Sequence, residues 1–238
     1  MIMDRITMLA GHLLTIEGGD GSGKTDQVKL LENRLVNLGG KVHIWDFPQY
    51  VNGSFGARVA GRMLAGKFGP LMEIPTYLAA LPFVFDRLSV REEMIRFMRE
   101  GGVALCNRFT DSNLGHGGAK CATMEEARLF IDEFEQFEYG EMGLPMPDIS
   151  FFLATDAELS RSLCLKKAGR EYLGGAVMTD EAEKDLEHQT KTRAMYEYLC
   201  ATRRRFAQIE CMIGPGEIDS REAIHERVWA ELNRRLVV

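Results

Sequence analysis

The residues Gly18-Gly19-Asp20-Gly21-Ser22-Gly23-Lys24-Thr25 constrain this chain more than any other stretch, because they fit the pattern G-x-x-x-x-G-K-[ST]. The apolar run Leu13-Ile16 precedes them, and Val28, Leu31, Leu35 and Leu38 follow at helical spacing. Strand, glycine loop and helix in that order form a cradle for phosphate. The glycines allow positive φ and close backbone approach. The loop amides and the positive end of the helix then face an anion. Lys24 is expected to reach the β- and γ-phosphates of a nucleotide, and Thr25 to ligate Mg²⁺ through its hydroxyl.

Four more short apolar runs, Val42-Trp45, Val103-Cys106, Ile149-Leu153 and Phe206-Ile209, read as buried parallel strands. Helical patterns separate them. Gly39-Gly40 stops the first helix, and a long helix spans Thr76 to Arg99, kinked or divided at Pro82. Met124-Tyr139, Ala157-Lys167 and Asp180-Thr202 read as helices, and Ile224, Val228, Leu232 and Leu236 mark a closing one. Strands alternating with helices predict an α/β fold, here a P-loop three-layer fold with a five-stranded parallel sheet flanked by helices. Ligands are then expected at the carboxyl ends of the strands. The 238 residues suit one domain, with residues 1–12 as an extension and about 168–179 as a short lid.

A net charge of -6 argues against a nucleic-acid partner and leaves room for a local anion pocket. No apolar run is long enough to span a membrane. Five cysteines without a C-x-x-C pair read as reduced thiols in a cytoplasmic protein.

From about Leu13 to about Ile213 the chain resembles the thymidylate kinases. The segments that carry the likeness are Leu14-Thr25, Asp46-Tyr50, Leu81-Arg87, Asn107-Asn113, Pro147-Leu153, and Asp180 and Glu183 followed by Arg193 and Tyr196. Each is weak alone; six in order at compatible spacing are specific. The resemblance implies ATP and Mg²⁺ as cofactors, small nucleotides as partners, and a homodimer. It implies that Asp20 accepts the 3′-hydroxyl of a deoxyribose, and that Arg87 and Arg108 hold the acceptor's α-phosphate. Phe83 would stack on the base, Phe47 shape the pocket, Ser112 bond base or phosphate, and His116 touch the base. Guanidinium forks suit phosphate, and an aromatic face suits a base. Structural alternatives exist for each: a loop cap for Asp20, ion pairs for the arginines, core packing for Phe83 and Phe47. Arg170 in the lid is expected to meet the charge that moves to the β–γ bridge, with Lys166 or Lys167 as alternatives. Lys24, Arg170 and Arg108 are then the catalytic set.

The chain departs from that family at several points. Asn107 stands where an acid is usual, so metal charge is missing there; Asp156 and Asp111 are candidates to compensate. Tyr50 replaces an arginine. Gly115-His116-Gly117 replaces a base-reading A-Y-Q run, and Gly117-Gly118-Ala119-Lys120 implies close backbone approach with Lys120 as an extra cation. The same variants resemble a divergent branch of the family. The expected activity is transfer of the γ-phosphoryl group of ATP to dTMP. The alternatives are a kinase for another deoxynucleotide or a nucleoside, and a weakly active nucleotide-binding regulator.

Overall fold

The computed structural model describes residues 10–51, 53–160 and 186–236. Five parallel strands, β1 (Leu13–Glu17), β2 (Val42–Asp46), β3 (Val103–Asn107), β4 (Ile149–Ala154) and β5 (Phe206–Glu210), form a sheet in the order β2-β3-β1-β4-β5. Each expected strand is present and runs one residue further at its carboxyl end. A small antiparallel pair, β6 (Met212–Gly214) and β7 (Glu217–Ile218), follows. The helices are α1 (Lys24–Asn37), α2 (Phe55–Leu64), α3 (Thr76–Leu88), α4 (Arg91–Arg99), α5 (Thr110–Gly118), α6 (Met124–Glu135), α7 (Leu186–Thr202) and α8 (Arg221–Leu236). The lid expected at 168–179, with Lys166, Lys167 and Arg170, lies outside the described residues.

Side chains alternate across the sheet, and this divides the core into two layers. Leu14, Ile16, Val103, Leu105, Ile149 and Phe151 face α1 and α8, where Val28, Leu31, Leu35, Val228 and Leu232 close over them. Leu13, Ala104, Cys106 and Phe152 face the other way, against α3 to α7. The central strands β1, β3 and β4 are buried along their whole length, which is why they read as continuous apolar runs.

The long helix expected over Thr76–Arg99 is two helices, and Pro82 does not divide it. Pro82 lies inside α3, and the break comes at Ser89 and Val90. Here α2 crosses α3 at Gly56, where a Cβ would stand 2.4 Å from the Pro82 carbonyl oxygen and 2.3 Å from the Asp86 nitrogen. Two helices thus meet backbone to backbone, and only glycine permits it. Asp86 secures the same junction. It accepts from the Gln49 backbone N–H at 2.8 Å and from the Ser54 hydroxyl that caps α2. The Phe47–Pro48 peptide leading into this region is cis.

Candidate active site

The phosphate loop and the segments Asp46–Tyr50, Leu81–Arg87 and Asn107–Asn113 contribute to one cleft of about 930 Å³ at the carboxyl edge of the sheet. At one end the phosphate loop turns from β1 into α1. Gly18 has φ 143°, and a Cβ there would stand 3.0 Å from Ser22 Oγ and 3.1 Å from the Leu153 carbonyl oxygen. Gly23, at φ 88°, is the N-cap of α1. The Lys24 ammonium is nearly buried and donates to the carbonyls of Gly18 (3.1 Å) and Gly19 (2.6 Å). Ser22 Oγ is buried without a hydrogen-bond partner, while Thr25 is exposed along the cleft wall. The loop is therefore a preformed anion seat with its lysine folded back on its own rim.

The middle of the cleft is built around Arg108. It has φ 63°, and among the described residues it alone is a non-glycine with positive φ. Such a conformation costs about 1–3 kcal/mol and persists only where neighbours enforce it. Two hydrogen bonds do so. The Arg108 N–H continues the sheet to the Ile16 carbonyl at 3.0 Å, and the Phe109 N–H donates to Glu17 Oε1 at 2.7 Å. Phe109 is thereby drawn into the core and Arg108 is thrown out over the phosphate loop. There it forms an ion pair with Asp20 and donates to His116 Nε2 at 2.9 Å. Burial opposes the charge on Asp20, but Arg108 and Lys24 overcome it and hold the carboxyl well below the usual range. Burial, followed by Arg108, holds His116 well below an ordinary imidazole, which suits a neutral ring accepting from a guanidinium.

Glu17 anchors this turn and was not singled out in the sequence. Besides the Phe109 N–H, it accepts from the Ser112 hydroxyl (2.6 Å) and the Tyr196 hydroxyl (2.9 Å). Burial, reinforced by Asp111, raises its carboxyl from 4.5 to about 7 against the pull of those donors and Arg108. In that window the folded protein holds a proton that the unfolded chain releases. Its contribution to stability is therefore fullest below 4.5 and is lost as the pH rises to about 7. Glu17→Gln should remove this slope. Urea unfolding across that range should show the wild type losing up to about 3 kcal/mol relative to the variant, and a constant difference would refute it.

The far end of the cleft is apolar. Met63, Leu71 and Ala79 pack together with half-buried Phe83 beside them, and Phe47 fills the wall against Phe109. Phe83 is thus on the cleft as expected. Arg87 also lines the cleft, but its fork is not open. It is 2% exposed, and its Nε and Nη2 bind Glu138 at 2.8–3.0 Å, while Nη1 reaches the Phe109 carbonyl at 3.3 Å. Glu138 also accepts from Asn113 Nδ2 at 2.8 Å. Because that nitrogen is committed to a carboxylate, the amide orientation is set and the Asn113 carbonyl oxygen remains for a ligand. Neither Glu138 nor Asn113 was singled out in the sequence. The signal for Asn113 was its place one turn before Gly117 on a segment already in question; Glu138 had none.

Several expectations are corrected here. Ser112 lines the cleft, gives its proton to Glu17 and stands 3.5 Å from Arg108 Nη1. His116 sits at the Arg108 guanidinium. The glycines of α5 do permit close approach, but by the fold's own side chains. A Cβ at Gly115 would lie 2.7 Å from the Tyr196 ring, and one at Gly117 2.4 Å from the Phe130 ring. Lys120 lines the cleft and donates to the Leu71 carbonyl, with burial lowering its pKa. Asp111 does not compensate for Asn107: it is buried under the sheet with Ser150, Tyr139 and Arg205. Asp156 accepts from the Glu158 N–H at the start of the next turn.

A family model described as thymidylate kinase matches residues 16–212. The chain belongs to the thymidylate kinase family. A thymidylate kinase of Mycobacterium tuberculosis (strain H37Rv) is 30% identical over 191 residues, 79% of this chain and 86% of that protein. One from Afipia carboxidovorans is 25% identical over 226 residues, 95% of this chain and 90% of that one. A solved thymidylate kinase from Candida albicans superposes with TM-score 0.67 at 16% identity, covering 94% of this chain and 92% of that one, and so shares its fold. Membership makes the protein an ATP-dependent nucleoside-monophosphate kinase. Among the described residues no helix is long and apolar enough to cross a membrane.

Phosphoryl transfer from a nucleotide generally employs Mg²⁺. Among the described residues no three His, Cys, Asp or Glu side chains cluster to hold that ion. Nucleotide-bound Mg²⁺ needs no such cage, since it takes one or two protein oxygens and fills its shell with phosphate and water. Thr25 offers a hydroxyl on the cleft, and Asn107 Oδ1 is a buried oxygen with no hydrogen-bond partner beside it. These residues fit the ion.

Proposed function

We infer that the protein transfers the γ-phosphoryl group of ATP to dTMP, giving ADP and dTDP. The observation that carries this reading is Arg108. It is held at a strained backbone angle, between the phosphate loop and the apolar pocket, where two nucleotides would meet end to end. Family membership supports the same activity, and neither a nucleoside kinase nor an inactive regulator is favoured over it.

The roles follow from position. The loop amides and Lys24 hold the donor's phosphates, and Lys24 leaves the Gly18 and Gly19 carbonyls to reach them. Arg108 trades part of its ion pair with Asp20 for the acceptor phosphate, which frees Asp20 to accept the sugar hydroxyl. Phe83 stacks on the base, and the Asn113 carbonyl accepts from a base N–H, as thymine's imide provides. Arg87, held by Glu138, shapes this pocket from behind and presents only its Nη1 edge. When bound, Mg²⁺ held by Thr25 and Asn107 neutralises charge on the donor's phosphates. The acceptor is already an anionic oxygen, so positioning and charge neutralisation carry the catalysis without a strong base. Arg170 remains the proposed lid cation.

A ranking of kcat/KM over dTMP, dUMP, dCMP, dGMP and dAMP tests this reading. We expect dTMP to lead, with dUMP behind it by roughly tenfold for want of one methyl group. A purine at the top would refute the base assignment, and thymidine above dTMP would refute the monophosphate assignment. A homodimer and a cytoplasmic location belong to the same proposal. Leu78 and Phe85, seven residues apart on α3, are exposed together with Phe55 on α2, an apolar surface that fits a second copy.

A further inference from the structure

The carboxylate that Asn107 lacks has a counterpart one strand away. In the sheet register Asp46, the last residue of β2, is paired directly with Asn107, the last residue of β3. Adjacent strands stand about 4.8 Å apart, and register partners in a parallel pair point to the same face. That face is identifiable. Val42 and Ile44 on β2, and Val103 and Leu105 on β3, belong to the core layer beneath α1. Counting on by twos puts Asp46 and Asn107 on the α1 side of the sheet, the side from which Thr25 enters the cleft. All three residues line it. Asn107 Oδ1 is buried with no hydrogen-bond partner, so an unpaired acceptor already stands at the carboxyl end of β3.

We propose that Asp46 supplies the negative charge of the magnesium site, acting through the ion's water shell beside Asn107. Magnesium dehydrates reluctantly and keeps several waters, so an acid two strands from β1 and its phosphate loop binds those waters rather than the ion. Asn107 contributes a neutral oxygen and Asp46 the charge, a division of what one aspartate does in other P-loop enzymes. The proposal rests on reading the cleft as a magnesium–nucleotide site.

The test uses Mn²⁺ titrated into the full-length protein saturated with a non-hydrolysable ATP analogue, with free ion read by its EPR signal. Asp46→Asn should weaken Mn²⁺ binding to the complex about tenfold, the usual cost of losing an outer-shell partner. Adding Asn107→Asp to that variant should restore most of the affinity, because the charge returns to the adjacent strand. In EDTA the analogue should bind Asp46→Asn as tightly as the wild type or more so, since a carboxylate near phosphates repels them. Unchanged Mn²⁺ affinity in Asp46→Asn overturns the proposal, and so does an equal loss of analogue binding in EDTA, which marks a structural role. If those results come with wild-type dTMP phosphorylation intact, the kinase reading stands without it. A wild-type protein whose analogue complex takes up no Mn²⁺ overturns both.

Discussion

Replacing Lys24 by alanine is expected to lower kcat for dTMP phosphorylation by roughly a thousandfold or more while leaving the protein folded. The fold should survive because the Lys24 ammonium bonds to the rim of its own loop, at the Gly18 and Gly19 carbonyls, and faces Asp20 at 3.8 Å. Asp20 keeps Arg108 as its main partner. The remaining loop amides and the α1 terminus still face the phosphates, so ATP binding should weaken without vanishing. Its cation is needed most when charge builds on the leaving β–γ bridge, so the loss should fall on kcat more than on either KM. The check is steady-state kinetics together with circular dichroism and a thermal melt. Wild-type turnover in a folded Lys24→Ala protein would remove the phosphate loop from the mechanism.

Glu138→Ala should be the most destabilising single change among the acceptor-side residues. Arg87 and Glu138 are each about 2% exposed or less, and their bidentate pair lies between α3 and the turn after α6. Burial pushes the Glu138 carboxyl up, against the pull of Arg87 and Asn113. Removing it leaves a guanidinium uncompensated in the core, at a cost of about 3–5 kcal/mol. For a chain of this size that lowers Tm by roughly 6–20 °C. The double variant Arg87→Met/Glu138→Leu removes both charges and should recover most of the stability. It should not recover acceptor binding, because Asn113 loses the partner that orients its amide. Differential scanning calorimetry with the dTMP KM for both variants separates the two effects. If Glu138→Ala melts with the wild type, the pair is not holding this region. If the double variant binds dTMP normally, Asn113 does not depend on it.

Legibility from sequence followed the range of the interaction concerned. The phosphate loop was readable because glycine freedom, the helix terminus and Lys24 act within eight consecutive residues. The central strands β1, β3 and β4 were readable because a strand buried on both faces reads as a near-continuous apolar run, and the part-exposed edge strands β2 and β5 keep enough apolar positions to be read beside them. The helices α2 and α5 were not: the buried stripe of α2, Gly56, Ala57, Ala60 and Met63, consists mostly of small residues that carry little apolar signal, and α5 has no such stripe. α5 reads TDSNLGHGG, and its glycines exist to admit the rings of Tyr196 and Phe130 from elsewhere in the chain. Position in the family's motifs located Arg87, Arg108, Phe83 and Asp20 on one cleft, but not what each touches there.

Those partners were a tertiary decision. Glu17 reaches Tyr196 across 179 residues, and Arg87 reaches Glu138 across 51. A lone glutamate in sequence carries no sign of either bond. The same holds for Asp46 and Asn107, which become neighbours only through the register of β2 on β3. Sequence by itself determined the fold class, the phosphate loop and the family, because these rest on local spacing and on patterns that burial imposes residue by residue. The tertiary structure decided which charges are free to meet a substrate and which are already spent on each other, because that depends on pairs brought together only when the sheet closes.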